Sequence, residues 1–433
     1  MRNRRKTRKN NNKIREILET KRFKSTVIVL VALIVVLSSV LLIRKVSDER
    51  LLAKQRLALE AQTEEIFSAG EEAVSKKMTK KVVDENGNEV EVEEQIYSVK
   101  ISAVGDILCN TGILKDGYEN GNYYFDQMFT PITEFVKNAD ITLGTLETNF
   151  VDGQDFVGVG KYNSPIEYLK AVQNSGIGLV SMSHNHVLDY GKEGLIETAN
   201  KVKNYGMDIT GVNFGNNDEF TGIIKEINNV KISFLGYTYG LSNEEGLTEE
   251  EKKMANIYSD ELAKKEIEYA RKNSDYVIII MHWGDVNVSS VTDKQRIITE
   301  NVFNYGADMI LGSHPAVVET MEIKQNKDGR DVFVAYSLGN YISSLDYEDA
   351  NVELILNLEI AKTADMDHAE LQSVDYTPIY VLDRGVGATD RYVLQDMKKI
   401  AKDYADGNRD IISRATYDSI ISKLEKLNSL LIR

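Results

Sequence analysis

The chain has 433 residues, 42% of them hydrophobic, and a formal net charge of −15. That length supports a sizeable core and exceeds one small domain. Its single cysteine, Cys109, excludes an intrachain disulfide. The acidic balance excludes a general nucleic-acid surface, because basic residues concentrate only at the start.

Residues 1–25 hold eleven Lys or Arg against two Glu, so the remainder carries −24. This basic head leads into "TVIVLVALIVVLSSVLLI", residues 26–43, 18 residues without a charge. As a helix rising ~1.5 Å per residue the run spans about 27 Å, close to a hydrocarbon core of ~30 Å. The positive-inside rule then places the head in the cytoplasm and the bulk of the chain outside. A cleaved signal peptide has a shorter apolar region, ~7–15 residues, ending in small residues. Here Arg44 and Lys45 follow the run directly. The expectation is an uncleaved single-pass anchor in the cell membrane, with the main domain extracellular.

Residues 44–97 read as a stalk. The part over 44–75 is charged, free of proline, and carries Leu51, Leu52, Leu57, Leu59 and Ile66. It is helical in pattern, without sustained heptads. In "KKVVDENGNEVEVEEQ", Asn86 and Gly87 stand between two valine-containing runs, a hairpin signal.

From residue 98 to about 350 short apolar runs alternate with amphipathic stretches. The runs are "VKISAV", "ADITLGTL", "GIGLVSM", "KISFLGY", "DYVIIIM", "ADMILG" and "DVFVAYSL". The helical stretches include "SPIEYLKAVQNSG", "GKEGLIETANKVKNYG" and "DKQRIITENVFNYGAD". This alternation predicts an α/β sandwich with a mixed or parallel sheet. Residues 351–433 read as an appendage of the same domain. "VELILNLEIAK" and "DYTPIYVL" are predicted strands there, and "RYVLQDMKKIAKDYADG" and "YDSIISKLEKLNSLL" predicted helices.

Most of the apolar runs end in residues that bind metals. Asp106 closes the first; Glu147 and Asn149 follow the second; His184, Asn185, His186 and Asp189 follow the third. His282, Trp283 and Asp285 come after "IIIM", His314 after "ILGS", and Asn340 after "AYSLG". Taken singly, each has a plainer reading: a cap, a turn, a packed aromatic or a hydrogen-bonded core histidine. Cys109 reads as a small buried hydrophobe, and His368, in "TADMDHAE", as solvent-exposed. The coincidence carries the case, since four of the five histidines fall at three strand ends. In open α/β sheets ligands gather outside the carboxyl ends of the strands. Carboxylate, imidazole and amide oxygen suit Mn, Zn, Fe or Mg, while the lack of thiolates argues against structural zinc. Asp189 is placed to orient a histidine from behind.

The motifs "AVGD", "LE", "SHNHVLDYG", "HWGD", "GSHP" and "YSLGN" resemble, in order, the CapA family of poly-γ-glutamate capsule synthesis proteins. The resemblance runs from about Ser98 to Ser344, and an anchor before the domain also fits that family. The family's domain is similar to calcineurin-like metallophosphoesterases. The comparison implies a metallophosphoesterase-like α/β sandwich with a mixed sheet, preceded by a transmembrane helix and stalk. It further implies a divalent-metal site of Glu147, Asn185, His282 and His314, with His186 as catalytic acid and Asp189 beside it. Asp106 matches the first aspartate of a second metal position. That position also needs two further histidines, and this chain has Leu108 and Ala316 where they belong. One well-formed metal site is therefore expected. Asn149, His184, Trp283, Asp285 and Asn340 are left as substrate-facing or supporting residues, and Asp285 stands where many relatives have Glu.

Three functions follow as expectations. The first is an extracellular capsule biosynthesis or export protein, with a polyglutamate synthase or other capsule machinery, and an envelope polymer, as partners. The second is a metal-dependent hydrolase of a phosphoester or amide bond in such a polymer. The third is a non-catalytic scaffold in a membrane complex.

Overall fold

The computed structural model describes residues 79–83, 89–93, 95–215 and 220–431. The basic head, the apolar run 26–43 and the helical part of the stalk lie outside the described residues. Among the described residues, no helix is long and apolar enough to cross a membrane. Thr79–Val83 and Glu89–Glu93, the two valine-containing runs, pair antiparallel with Val83 opposite Glu89.

Two mixed sheets carry the main domain. The seven-stranded sheet runs, edge to edge, Asp208–Thr210, Leu179–Ser181, Ile141–Leu146, Ile96–Ile107, Val352–Thr363, Glu370–Asp383 and Tyr392–Asp396. Its first three pairings are parallel and its last three antiparallel. The six-stranded sheet runs Ile223–Ile227, Val230–Thr238, Tyr276–His282, Met309–Ser313, Asp331–Ala335 and Met321–Gln325. Its four middle strands are parallel, and each edge strand is antiparallel to its neighbour.

Alternation along the strands builds the layers. In "YVIIIMH", Ile278 and Ile280 point into the space between the sheets, where Ile101, Leu143 and Leu179 meet Phe234 and Leu311. Val277, Ile279 and Met281 point the other way, onto Ile267 and Val302 of helices Asp260–Asn273 and Asp293–Tyr305. Helices Ile166–Asn174 and Gly191–Asn204 cover the outer face of the larger sheet through Leu169, Val172, Leu195 and Val202. The result is a helix–sheet–sheet–helix sandwich. A central parallel strand buried on both faces has to be apolar throughout, which is why these runs were visible in the sequence.

The C-terminal segment is more than an appendage. Val352–Thr363 pairs with Ile96–Ile107 and sits inside the larger sheet. Helices Met397–Ala405 and Arg414–Leu431 contribute Met397, Ile400, Ile420 and Leu424 to the core between the sheets. "RYVLQDMKKIAKDYADG" is also not one helix. Tyr392–Asp396 is an edge strand, and the helix starts after Asp396, whose carboxylate accepts the N–H groups of Lys398 and Lys399. Tyr and Val favour strand, and an aspartate N-cap fixes where the helix begins.

One cap reaches towards the rim where the strands end. At the start of Asp293–Tyr305, Thr292 and Gln295 form a capping box. The Gln295 Nε2 group then donates to Glu319 Oε2 (2.7 Å), while Glu319 Oε1 is buried without a partner. Burial pushes the Glu319 carboxyl up to about 7. Because this pKa is raised in the folded state, the associated stability is complete below the unfolded value and is lost as pH rises through about 7. Glu319→Gln keeps an acceptor for Gln295 and removes the charge. It is expected to be the more stable form at pH 8, by up to about 3 kcal/mol, and to show no advantage at pH 4. Denaturant midpoints measured across that range test this; parallel curves for the two proteins would exclude it.

Candidate metal centre

The parallel strands of both sheets end at one rim, where Ser313 Oγ donates to Thr145 Oγ1 across the sheets (3.1 Å). Glu147 follows Ile141–Leu146, His282 ends its strand, and His314 follows Met309–Ser313. All three are buried, and each offers a ligand atom within 4.8 Å of the others. Asn185 joins them. His282 Nε2 lies 2.8 Å from Asn185 Oδ1 and 3.0 Å from His314 Nδ1. One carboxylate, two imidazoles and an amide oxygen converging from buried positions fit a divalent cation.

The electrostatics agree with that fit. Burial, with the charges of Asp106 and Asp189 nearby, raises the Glu147 carboxyl well above the usual range. Burial, with His282 and His186 facing it, pushes His314 down to about 2, so its ring is the neutral form that ligates. A cation at this point favours ionised Glu147 and leaves the neutral imidazole undisturbed.

Asp106 lies outside that set. Its Oδ2 accepts the His314 N–H (2.7 Å). Its Oδ1 has no hydrogen-bond partner, although it lies 3.3 Å from His282 Nδ1, the ring atom facing away from Asn185. Asp106 therefore touches both histidines from behind. The contact to His314 also holds a strained backbone: His314 has φ +100°, and Ala316 φ +62°. Such conformations cost about 1–3 kcal/mol each and persist where surrounding structure enforces them. Leu108 and Ala316, at the positions where a second metal would want histidines, are buried apolar residues.

His186 and Asp189 form a pair of their own. His186 Nδ1 lies 3.0 Å from Asp189 Oδ2 and 3.2 Å from Oδ1. Asp189 also accepts Tyr162 N–H (2.9 Å) and Asn243 Nδ2 (2.6 Å). A carboxylate fixed from several sides holds the proton on Nδ1, which leaves Nε2 as the exchanging atom.

Several residues singled out in the sequence do other work. Asn149 Nδ2 donates to the carbonyl oxygens of His186 (2.9 Å) and Tyr162 (3.1 Å), so it braces the loop. His184 is fully buried; its Nδ1 accepts His186 N–H (3.2 Å), and burial lowers its pKa well below the ordinary value. Trp283 turns to the opposite side of the strand from His282, donating to Tyr336 O (2.8 Å) within the helix-facing core. Asn340 donates to Ser343 Oγ (3.1 Å) within its own turn. Asp285 is exposed beyond the rim. Cys109 is buried, which pushes its thiol up to about 12, in keeping with an inert core residue.

Residues missed in the sequence complete the centre. Ser313 Oγ lies 3.2 Å from His282 Nδ1. The Tyr239 ring packs at 4.7 Å from the His314 ring. Glu353 is buried with both oxygens unpartnered, and burial together with the Asp106 charge holds its carboxyl well above the usual range. A glutamate inside the apolar run "VELILNL" was the available signal for it.

The fold and this cluster define an α/β sandwich with a buried carboxylate–imidazole group of metal-binding type at its strand ends. Residues 100–345 match the family described as bacterial capsule synthesis protein PGA_cap, and the chain belongs to that family. It is 25% identical over 250 residues to the capsule biosynthesis protein CapA of Bacillus anthracis, and 26% identical over 246 residues to the PGA biosynthesis protein CapA of Bacillus subtilis. Each match covers 56% of this chain, and 59% and 62% of those relatives' own lengths. Among solved structures it is similar to a putative 5'-nucleotidase from Staphylococcus aureus, at 12% identity and a TM-score of 0.42, over 65% of this chain and 54% of that one. It is also similar to the NAD nucleotidase NadN of Haemophilus influenzae, at 13% identity and a TM-score of 0.40, over 77% and 61%.

Proposed function

We propose that this chain is a membrane-anchored extracellular protein of capsule biosynthesis, with poly-γ-glutamate as the polymer class. Its metallophosphoesterase-like domain holds one divalent cation on Glu147, Asn185, His282 and His314. The observation that supports this most is the buried Glu147, His282 and His314 group, lying inside the segment matched to the capsule family. The uncharged run 26–43 supports the anchor and the outward placement of the domain. When bound, the cation would polarise an oxygen of the substrate or activate water. The chain's own part is to bring Glu147, Asn185 and the two imidazoles together as ligands, and to present His186 Nε2 as a proton donor backed by Asp189. The partners of that position are a polyglutamate synthase or other capsule machinery. Poly-γ-glutamate is a polyanion and residues 26–433 carry −24, so a place beside a synthase meets less repulsion than a direct grip on the chain.

The His186–Asp189 pair supports a second, narrower reading, a hydrolase acting on a phosphoester or amide bond of the envelope polymer. One experiment covers both. The gene is deleted in its own host and restored as wild type, Glu147→Ala or His186→Ala, and surface polymer is measured. Wild type is expected to restore polymer and both variants to fail while still accumulating as folded protein. Unchanged polymer after deletion would overturn the capsule role. Full rescue by both variants would overturn the metal chemistry and leave the scaffold function.

A further inference from the structure

The segment "YGLSN", residues 239–243, follows the Val230–Thr238 strand and carries none of the sequence motifs. It nevertheless touches several parts of the centre. Tyr239 N–H donates to His282 O (2.9 Å), and Ser242 N–H donates to Asn185 O (2.8 Å). Asn243 Nδ2 donates both to Asp189 Oδ1 (2.6 Å) and to Gly160 O (3.0 Å). The Ser242 side chain makes the most consequential contact: its Oγ accepts Asn185 Nδ2 at 2.6 Å.

An asparagine amide has nearly the same shape at its two ends, one of which is an acceptor and the other a donor. A cation needs the oxygen, and an amide turned the other way would present N–H groups to it. The group on the outer side decides which end faces inward. Here the Ser242 hydroxyl takes the amide N–H. Asn185 Oδ1 is thereby left facing His282 Nε2 at 2.8 Å, on the side of Glu147 and His314.

We propose that Ser242 is a positioning residue of the centre, which turns the Asn185 carbonyl oxygen towards a bound divalent cation, and that residues 239–243 form the strap that carries it. The proposal rests on the metal-site reading given above. Groups behind a ligand of this kind typically govern affinity by about 10–100-fold.

The test is calorimetric titration of the purified full-length protein with Mn²⁺. Ser242→Ala is expected to weaken binding by about 10-fold or more, and Ser242→Thr, which keeps the hydroxyl, to restore most of the affinity. Asn185→Asp supplies the sharper control, because a carboxylate has an oxygen at either end and needs no turning. In that background Ser242→Ala should cost little further affinity. An equal loss from Ser242→Ala in both backgrounds, or no loss in the wild-type background, would overturn the proposal. Thermal melts without metal identify any variant that fails to fold, and the Thr and Asp variants then decide the matter. Failure of the wild type itself to bind Mn²⁺ would be a different result, overturning the metal site and the proposal together.

Discussion

His282→Ala is expected to weaken divalent-metal binding by on the order of 100-fold or more, the largest loss for any single ligand. The ring is the hub of the centre. Its Nε2 lies 2.8 Å from Asn185 Oδ1 and 3.0 Å from His314 Nδ1, and its Nδ1 faces Ser313 and Asp106. Changing a group behind a ligand already costs about 10–100-fold. Removing this ring takes away a ligand and also the group that aligns two more. The measurement is the metal-dependent rise in Tm. A cation present at 100 times its Kd stabilises the folded state by about 2.7 kcal/mol, so the wild-type melt should move upwards with Mn²⁺ and the variant's should stay in place. An equal upward shift in both proteins would remove His282 from the site.

The way these ligands were legible in the sequence also explains what was not. His282 and His314 stood out because each ends a run of apolar residues, and a buried parallel strand permits little else. The same signal misplaced Trp283. Side chains alternate across a strand, so the residue after an inward-facing ligand points into the opposite layer, and Trp283 packs against Tyr336 there. Asn340 was misplaced for a similar reason, as adjacency to a motif says nothing about where a turn directs its side chain. Ser242 and Asn243 look like any polar turn after a strand, and only the fold brings them to Asn185 and Asp189. Placing Val352–Thr363 beside Ile96–Ile107 requires a closure over some 250 residues, which no local pattern records. The Tyr392–Asp396 strand was hidden by a following helix whose amphipathic pattern extends the eye backwards, although Asp396 marks the true start.

Gly105→Ala is expected to cost more than about 4 kcal/mol, enough to place it among the exceptional substitutions. The residue belongs to the motif "AVGD", where it is easily taken for a hinge beside a catalytic aspartate. Its position argues for packing instead. A Cβ built there would sit 1.8 Å from the carbonyl oxygen of Gly339, the same oxygen that accepts the Asp106 N–H at 3.1 Å. Ordinary overpacking costs about 1–3 kcal/mol because side chains can move aside; here the obstacle is backbone already fixed by a hydrogen bond. The register of Ile96–Ile107 against Ile141–Leu146 also shifts between Ala103 and Asp106, so the chain has already bent to admit this approach. Gly312, in "GSHP", repeats the arrangement from the other sheet, its Cβ position lying 1.9 Å from Tyr336 O. Both variants should melt at least about 10 °C below wild type, or fail to accumulate, with metal binding lost alongside. Gly153→Ala is the control, since its Cβ would meet nothing within 4 Å and only its φ of +72° is unfavourable. It should cost about 1 kcal/mol. A Gly105→Ala protein that melts with the control would mean that the two backbones separate freely at this point. Asp106 could then no longer be said to hold His282 and His314 by rigid placement.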